Sequence, residues 1–491
     1  MRVLPVKSLL KSVKKPVFWA VVIACIFAAV ILYITIHLIH DSYQSTAFDL
    51  GLFTQELRNT LQGNILYSPA IGGSQFAYHF SPVLLLLVPV YWLFPHAQML
   101  LVVQGLLLAF GGYLIYVIAR EYNYSHRAAL ILEGLYFINP LVWGVALFDF
   151  HEVAFAVPAL LIMFLGMKKR NWLFIILGLV IALATKEDVV VALGVFGFVL
   201  MVFDYFKHKK LERISIVIFC SAILTYGLSS IITHLATGGA HSQLLAYLTL
   251  RYAYIGQPLS VAVPWALATI FCWSTLYLIG AFLLPLALLP LLTPKWVIPA
   301  LVILLSGILS TDYSQHGMLL QYPAAAVPFL FMAFIEVLPK TVRDPQIQAI
   351  VEKTHHRIVT YSIIPLVIIS LMFIAGGRIR LASLPDAHDS AINQVIAFVP
   401  DNATVTASNI IFPHLCARTD IYLDALEGNE LAPPGGVMKD YWGFPDYDTE
   451  YVIFDTGNDP VTASNINIIM KQYQYTLIKN IDGVVLYRLN S

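Results

Sequence analysis

The chain has 491 residues, 59% of them hydrophobic and only 12% charged, with a mean hydropathy of +0.76; that balance excludes an ordinary soluble globular protein. Its formal net charge is zero, so electrostatics give no case for a nucleic-acid partner. Four scattered cysteines, Cys25, Cys220, Cys272 and Cys416, fit neither a disulfide framework nor a metal knuckle.

Crossing about 30 Å of hydrocarbon takes roughly 20 helical residues. Apolar runs of that order recur through the first three quarters of the chain without period-2 patterning, so they are expected to be helices. The first, near 17–39, follows Arg2, Lys7, Lys11, Lys14 and Lys15. It is too long for a signal-peptide core and lacks a small-residue cleavage site, so it reads as a retained span that starts in the cytoplasm. Further spans are expected near 98–119, 128–147, 153–167, 171–185, 189–203, 214–233, 275–292, 296–309, 321–338 and 359–376, about eleven in all. The stretches 82–94 and 259–274 are short or Pro-interrupted and read as interfacial or re-entrant. This threading gathers nineteen Lys and Arg on the cytoplasmic side. It leaves only Arg58, Lys186 and Arg251 on the outer loops before the last span, as the positive-inside rule requires. The transmembrane part therefore covers 1–380, with a first outer loop at 41–97, in a multi-pass protein of the cell membrane.

Residues 381–491 are more polar. The runs "ATVTAS" 403–408, "EYVIFD" 450–455, "YTLIKN" 475–480 and "GVVLYRL" 483–489 read as strands, and "NIDGVV" as a tight hairpin. With helices near 389–398 and 463–473 they predict a small α/β domain on the extracytoplasmic side. There the sequon "NAT" 402–404 would be meaningful.

The acids nearest the hydrocarbon collect on that same outer side, in "TAFDLGLFTQE" 46–56, "FDFHE" 148–152 and "ATKEDVV" 184–190. Thr46/Asp49, Asp149/Glu152 and Thr185/Asp188 each have the spacing of a helix capping box, which would explain them without any function. Capping does not call for His151 beside Glu152, or for Lys186 and Glu187 beside Asp188, and ionisable residues at membrane depth are functional by default. On a helix begun near Thr46, Asp49, Phe53 and Glu56 share a face, while Leu50, Leu57 and Leu61 form an apolar side suited to lying on the membrane surface. Gly72 and Gly73 then bend the chain, and His79 precedes a Pro-started apolar segment.

The blocks "FDLGLFTQ", "HFSPVLLLLVPVYWLFP", "LFDFHEVAFAVPAL", "TKEDVVVALG" and "LLQYPAAAVPFLF" resemble the signature of a prokaryotic family of polytopic membrane proteins, the domain of unknown function DUF2079, over most of 45–335. That family in turn resembles the GT-C superfamily, membrane glycosyltransferases that take sugars from polyprenyl-phosphate carriers. The resemblance implies a GT-C-like helical fold, a catalytic acid at Asp49 in the first outer loop, and an interfacial helix within 81–97. It departs from the superfamily where His79 stands in place of a basic residue ahead of that helix.

Transfer of a sugar from a lipid phosphate to an acceptor glycan, lipid or protein needs a base for the acceptor hydroxyl and positive charge for the leaving phosphate. Asp49 is the expected base, or a metal ligand. His79, Lys186, Arg251, Glu56 and His316 are the expected substrate-binding residues, His316 standing i+4 from Asp312 on the same side. Asp149, His151, Glu152 and Asp188 are candidate ligands for Mg²⁺ or Mn²⁺. The competing expectations are a transporter or flippase that uses rim carboxylates for ion or proton coupling, and an assembly scaffold acting through the outer domain.

Overall fold

The computed structural model describes residues 15–238, 251–316, 320–337, 364–374, 382–423, 449–457, 470 and 473–490. Among these, four helices are long and apolar enough to cross a membrane: Pro16–His40, Gln98–Glu121, Glu187–His208 and Arg213–Ala236. Two further pairs qualify together but are bent, His126–Phe137 with Pro140–Leu147 by 51° and Leu259–Ile270 with Trp273–Leu286 by 46°. Pro82–Leu93, Trp172–Leu183, Pro294–Ile308, Ala326–Val337 and Ile364–Ile374 are apolar but shorter. Among the described residues, the expected count of eleven full spans is therefore not reached by length and composition. The expected span 128–147 is broken because Pro140 cannot donate to the preceding turn, while Asn139 caps the second half by accepting from the Leu141 amide at 3.0 Å. Within 259–274, expected to be interfacial or re-entrant, Leu259–Ile270 forms the first limb of the other bent pair.

The helices bury a continuous apolar core and turn other apolar side chains outward, as Leu224 and Leu235 do at 72% and 71% exposure, which suits lipid as solvent. At the centre, Phe164, Phe196, Trp296 and Phe329 interlock with ring centroids 4.8 to 5.6 Å apart. Helix Trp172–Leu183 lies tightly on Ala156–Lys169, because a Cβ at Gly178 would come within 2.3 Å of the Ala159 carbonyl oxygen.

After the first span the chain forms a π-helical turn, Ala47–Gly51, that runs into the α-helix Leu52–Thr60. A two-residue ribbon follows, β1 Tyr67–Ser68 with β2 Gly73–Ser74, its turn closed by Gly72 at φ 62°. The segment Pro82–Leu93 comes next, with Leu86, Trp92 and Leu93 exposed, in keeping with an interfacial helix.

The C-terminal domain is a five-stranded mixed sheet of β3 Val405–Ala407, β4 Ile421–Leu423, β5 Tyr451–Asp455, β6 Tyr475–Ile481 and β7 Val484–Leu489, in the order β4-β3-β5-β7-β6. Strands β3, β4 and β5 run parallel, and β7 is antiparallel to β5 and β6. The hairpin expected at "NIDGVV" joins β6 to β7 through Asp482 and Gly483, both at positive φ (52° and 82°), the geometry of a type I′ turn. Helix Ala387–Ile396 opens on a capping box of Asp386 and Asp389. The helix expected near 463–473 lies almost wholly outside the described residues.

This domain clamps the first loop. Leu50 and Leu57, expected to face lipid, are fully buried and share one apolar core with Ile392, Val405, Ile411, Phe412 and Leu415. The correction has a simple cause: the C-terminal domain supplies the apolar partner that the membrane surface was expected to supply. Gly51 leaves room for Phe412, since a Cβ there would stand 2.5 Å from its ring. Gln55 donates to the Ile421 carbonyl at 2.8 Å, Ala47 N–H to the Asn409 side chain at 2.9 Å, and Tyr43 O–H to Asn393 at 2.9 Å.

Candidate active site

The three acid-bearing segments meet at one place. The π-helical turn carries Asp49 to His151, whose Nε2 lies 2.9 Å from Asp49 Oδ1. The other Asp49 oxygen has no partner among the described residues. The aspartate side chain keeps 23% exposure, against 4% for the histidine. His151 Nδ1 sits 3.1 Å from the Asp149 carbonyl oxygen. Both ring nitrogens thus face acceptors, which calls for an imidazolium that donates from each. Burial works against that charge, but the Asp49 carboxylate, by its charge and its hydrogen bond, outweighs it and raises the pKa of His151 above the usual imidazole value.

The turn bearing His151 is held from behind by Gln104, about two turns into the helix Gln98–Glu121. Its Oε1 accepts from the His151 amide at 2.9 Å, and its Nε2 donates to the carbonyls of Val145 and Phe148 at 3.0 and 3.1 Å. Asp149 turns the other way: its Oδ2 accepts from the Thr46 amide at 2.8 Å and the Thr46 hydroxyl at 2.9 Å. Asp149 therefore anchors the start of the turn that presents Asp49. Gln104 was not singled out in the sequence, although a glutamine in the middle of an apolar run is the signal that marks it.

Beside this dyad lies a buried ion pair. Glu152, fully buried, holds Lys186 Nζ at 3.3 Å and receives the Ser81 hydroxyl at 3.5 Å. Burial opposes both charges, yet Lys186 keeps the Glu152 carboxyl below its usual range, and Glu152 with Asp188 keeps the Lys186 ammonium above its own. Lys186 also feels the charge of Arg251. The Arg251 guanidinium stands 5.7 Å from the ring of Tyr322 and meets the Gln315 side-chain oxygen at 2.7 and 2.8 Å. His79 pairs with Glu187 at 3.3 Å, and Glu187 also accepts from the Phe80 amide, which fixes the entry to Pro82–Leu93. Glu56, on Leu52–Thr60, is buried with both carboxylate oxygens unpartnered; desolvation first and the Glu152 charge second push its pKa far above the usual carboxyl range. His316 ends the short helix Tyr313–His316, and its side chain lies outside the described residues.

The capping boxes do not form. Thr46 and Lys186 stand at N-cap positions without a side-chain cap, Asp149 bonds to Thr46, and the Thr185 hydroxyl donates to the Ala182 carbonyl at 2.6 Å. Asp188 accepts from the Val189 amide at 3.0 Å at its own helix start. The acids face one another across the site. They do not fit a metal as a quartet, however: Asp149 is held by Thr46, His151 by Asp49 and Glu152 by Lys186. Among the described residues no group of three or more His, Cys, Asp or Glu is placed to hold an ion. The divalent cation expected at Asp149, His151, Glu152 and Asp188 has no ligand set here, so the chemistry below is derived without one.

A family described as "Predicted membrane protein (DUF2079)" matches residues 39–485. The chain belongs to DUF2079. The sequence matches no curated protein. Among solved structures, ArnT from Cupriavidus metallidurans bound to undecaprenyl phosphate superposes with a TM-score of 0.54 at 12% identity, over 95% of this chain and 97% of that one. The same protein in its apo state gives 0.54 at 14% identity with the same coverage. At such identities the likeness is one of fold alone: this DUF2079 chain has an ArnT-like fold.

Proposed function

We propose that this DUF2079 protein is an integral membrane glycosyltransferase that moves a sugar from a polyprenyl-phosphate donor to an acceptor at the extracytoplasmic face. The observation that carries the reading is the Asp49–His151 dyad: a partly exposed carboxylate with one oxygen fixed at 2.9 Å by a buried imidazolium and the other open to a ligand. The ArnT-like fold supports a polyprenyl-phosphate carrier as the lipid part of the donor, since that protein was crystallised with undecaprenyl phosphate. In the reaction, the acceptor oxygen forms a bond to the anomeric carbon as the bond from that carbon to the phosphate oxygen breaks. The acceptor proton passes to the open oxygen of Asp49, and polyprenyl phosphate leaves with the electron pair. Phosphate is a good leaving group, so one carboxylate suffices where glycoside hydrolysis uses two. His151 orients Asp49, while Lys186 and Arg251 stand on the side where phosphate charge would develop.

The test is direct. Purified protein incubated with labelled polyprenyl-phosphate sugars should consume donor, and Asp49→Asn should abolish consumption in protein that still purifies folded. Full activity in D49N would overturn the assignment. One observation favours a second reading, ion-coupled transport: Glu133 is buried in the bent segment with neither oxygen partnered. Under that reading Glu133→Gln, and not Asp49→Asn, would remove function.

A further inference from the structure

Two orphan carboxylates belong to the site: Glu56 lies one helical turn along from Phe53, whose ring centroid stands 5.8 Å from that of His151, the neighbour of Glu152. Glu56 is fully buried, and neither of its carboxylate oxygens has a hydrogen-bond partner among the described residues. Glu152 uses Oε1 for Lys186 and Ser81, while its Oε2 is buried and equally unpartnered. Glu152 is the one charge that acts on Glu56. Native proteins rarely leave such groups unmet, so each case asks for a reason.

Lys186 supplies it. Its ammonium neutralises Glu152, yet it is also a cation whose charge acts on His151 of the dyad, one that a lipid phosphate would draw on, and its side chain retains 12% exposure. Removing Lys186 from Glu152 without replacement would leave an uncompensated buried carboxylate, which is strongly unfavourable. We infer that Glu56 is the replacement partner: as donor phosphate draws Lys186 away, the Glu56 carboxylic acid turns its O–H onto Glu152 Oε2, so that Lys186 can serve the phosphate. The proton stays on Glu56 and is shared with Glu152 through a charge-assisted hydrogen bond, and no charge enters or leaves the buried pair. Because Glu56 has no hydrogen bond to give up, its rotation forfeits none. Glu56 thus acts through Lys186 as a positioning residue and touches neither reacting bond. The inference rests on the donor class proposed above.

The experiment uses full-length protein in lipid nanodiscs, with undecaprenyl phosphate as probe and undecaprenol as the control that lacks phosphate. Affinities are measured for wild type, Glu56→Gln and Glu56→Leu, and an infrared difference spectrum is recorded with and without the phosphate probe. The expected results are a wild-type carboxylic-acid carbonyl band that moves to lower frequency on adding undecaprenyl phosphate, and its absence in E56Q. E56Q, whose amide can still donate to Glu152, should bind nearly as wild type. E56L should lose about tenfold in phosphate-dependent affinity, the scale of one buried hydrogen bond to a charged group, with undecaprenol binding unchanged. Wild type that binds the phosphate lipid while E56L binds equally well, or whose carboxyl band does not respond, overturns the role of Glu56 alone. Wild type with no preference for the phosphate lipid overturns this inference and the donor assignment together. If E56L fails to fold, the wild-type infrared response still decides.

Discussion

Replacing Gln104 by Leu removes the brace behind the Asp49–His151 dyad without touching either residue. The side chain is buried and serves the His151 amide at 2.9 Å and the Val145 and Phe148 carbonyls at 3.0 and 3.1 Å. Leucine fills similar volume and meets none of these groups. A buried polar group left without a partner costs about 1–3 kcal/mol, so the His151 amide and one carbonyl together come to about 2–6 kcal/mol. That is comparable with the free energy of a local opening, and the turn 148–151 should let water in while the helices stay folded. Amide hydrogen exchange over 145–152 should accelerate, and with Asp49 displaced by even about 1 Å, transfer should fall roughly 100-fold. Gln104→Glu sharpens the test, because its oxygen can still accept from His151 while its second oxygen faces two carbonyls that it can only repel. It should be no better than Q104L. Unchanged exchange over 145–152 in Q104L would refute the brace, whatever happens to activity.

Three further outcomes follow from the same geometry. Lys186→Met combined with Glu56→Leu strands the fully buried Glu152 and should lower stability by about 3–5 kcal/mol, whereas adding Glu152→Met should recover much of it; thermal unfolding in detergent measures both. His151 has its pKa raised by Asp49 against the pull of burial, so the dyad contributes fully below the ordinary imidazole value and is lost as pH rises through the raised one; the rate should show an alkaline limb that is missing in His151→Gln. Gly51→Ala drives a Cβ to 2.5 Å from the Phe412 ring and should cost about 1–3 kcal/mol by overpacking, seen as faster proteolytic release of the C-terminal domain.

What the sequence made legible is what local chemistry decides. Apolar length marked the helices, Asp482-Gly483 marked the hairpin, and His151 set beside Glu152 marked a cluster that capping could not explain. What stayed hidden depends on partners distant in the chain. Leu50 and Leu57 have the same hydrophobic pattern whether they meet lipid or Phe412, 355 residues or more away. Asp149, His151, Glu152 and Asp188 look like a ligand set as a list, but Thr46, Asp49 and Lys186 claim three of them one by one. Strand β4 escaped notice because three residues, Ile421–Leu423, carry too little pattern to stand out.

The position of the C-terminal domain changes what the first loop can be. A helix resting on a membrane surface would be free to slide and tilt, and a base mounted on it would be poorly aimed. Here the loop is stitched at three points to a folded sheet domain, through Tyr43, Ala47 and Gln55, and at a fourth to the helical core through Thr46 and Asp149. Asp49 lies between these anchors, so its aim is set jointly by the membrane helices and by the domain that covers them. Precision at a reacting group depends on such support from behind. On the proposed reading the C-terminal domain helps to aim the base, since without Phe412 and Asn409 the turn that presents Asp49 loses contacts that hold it.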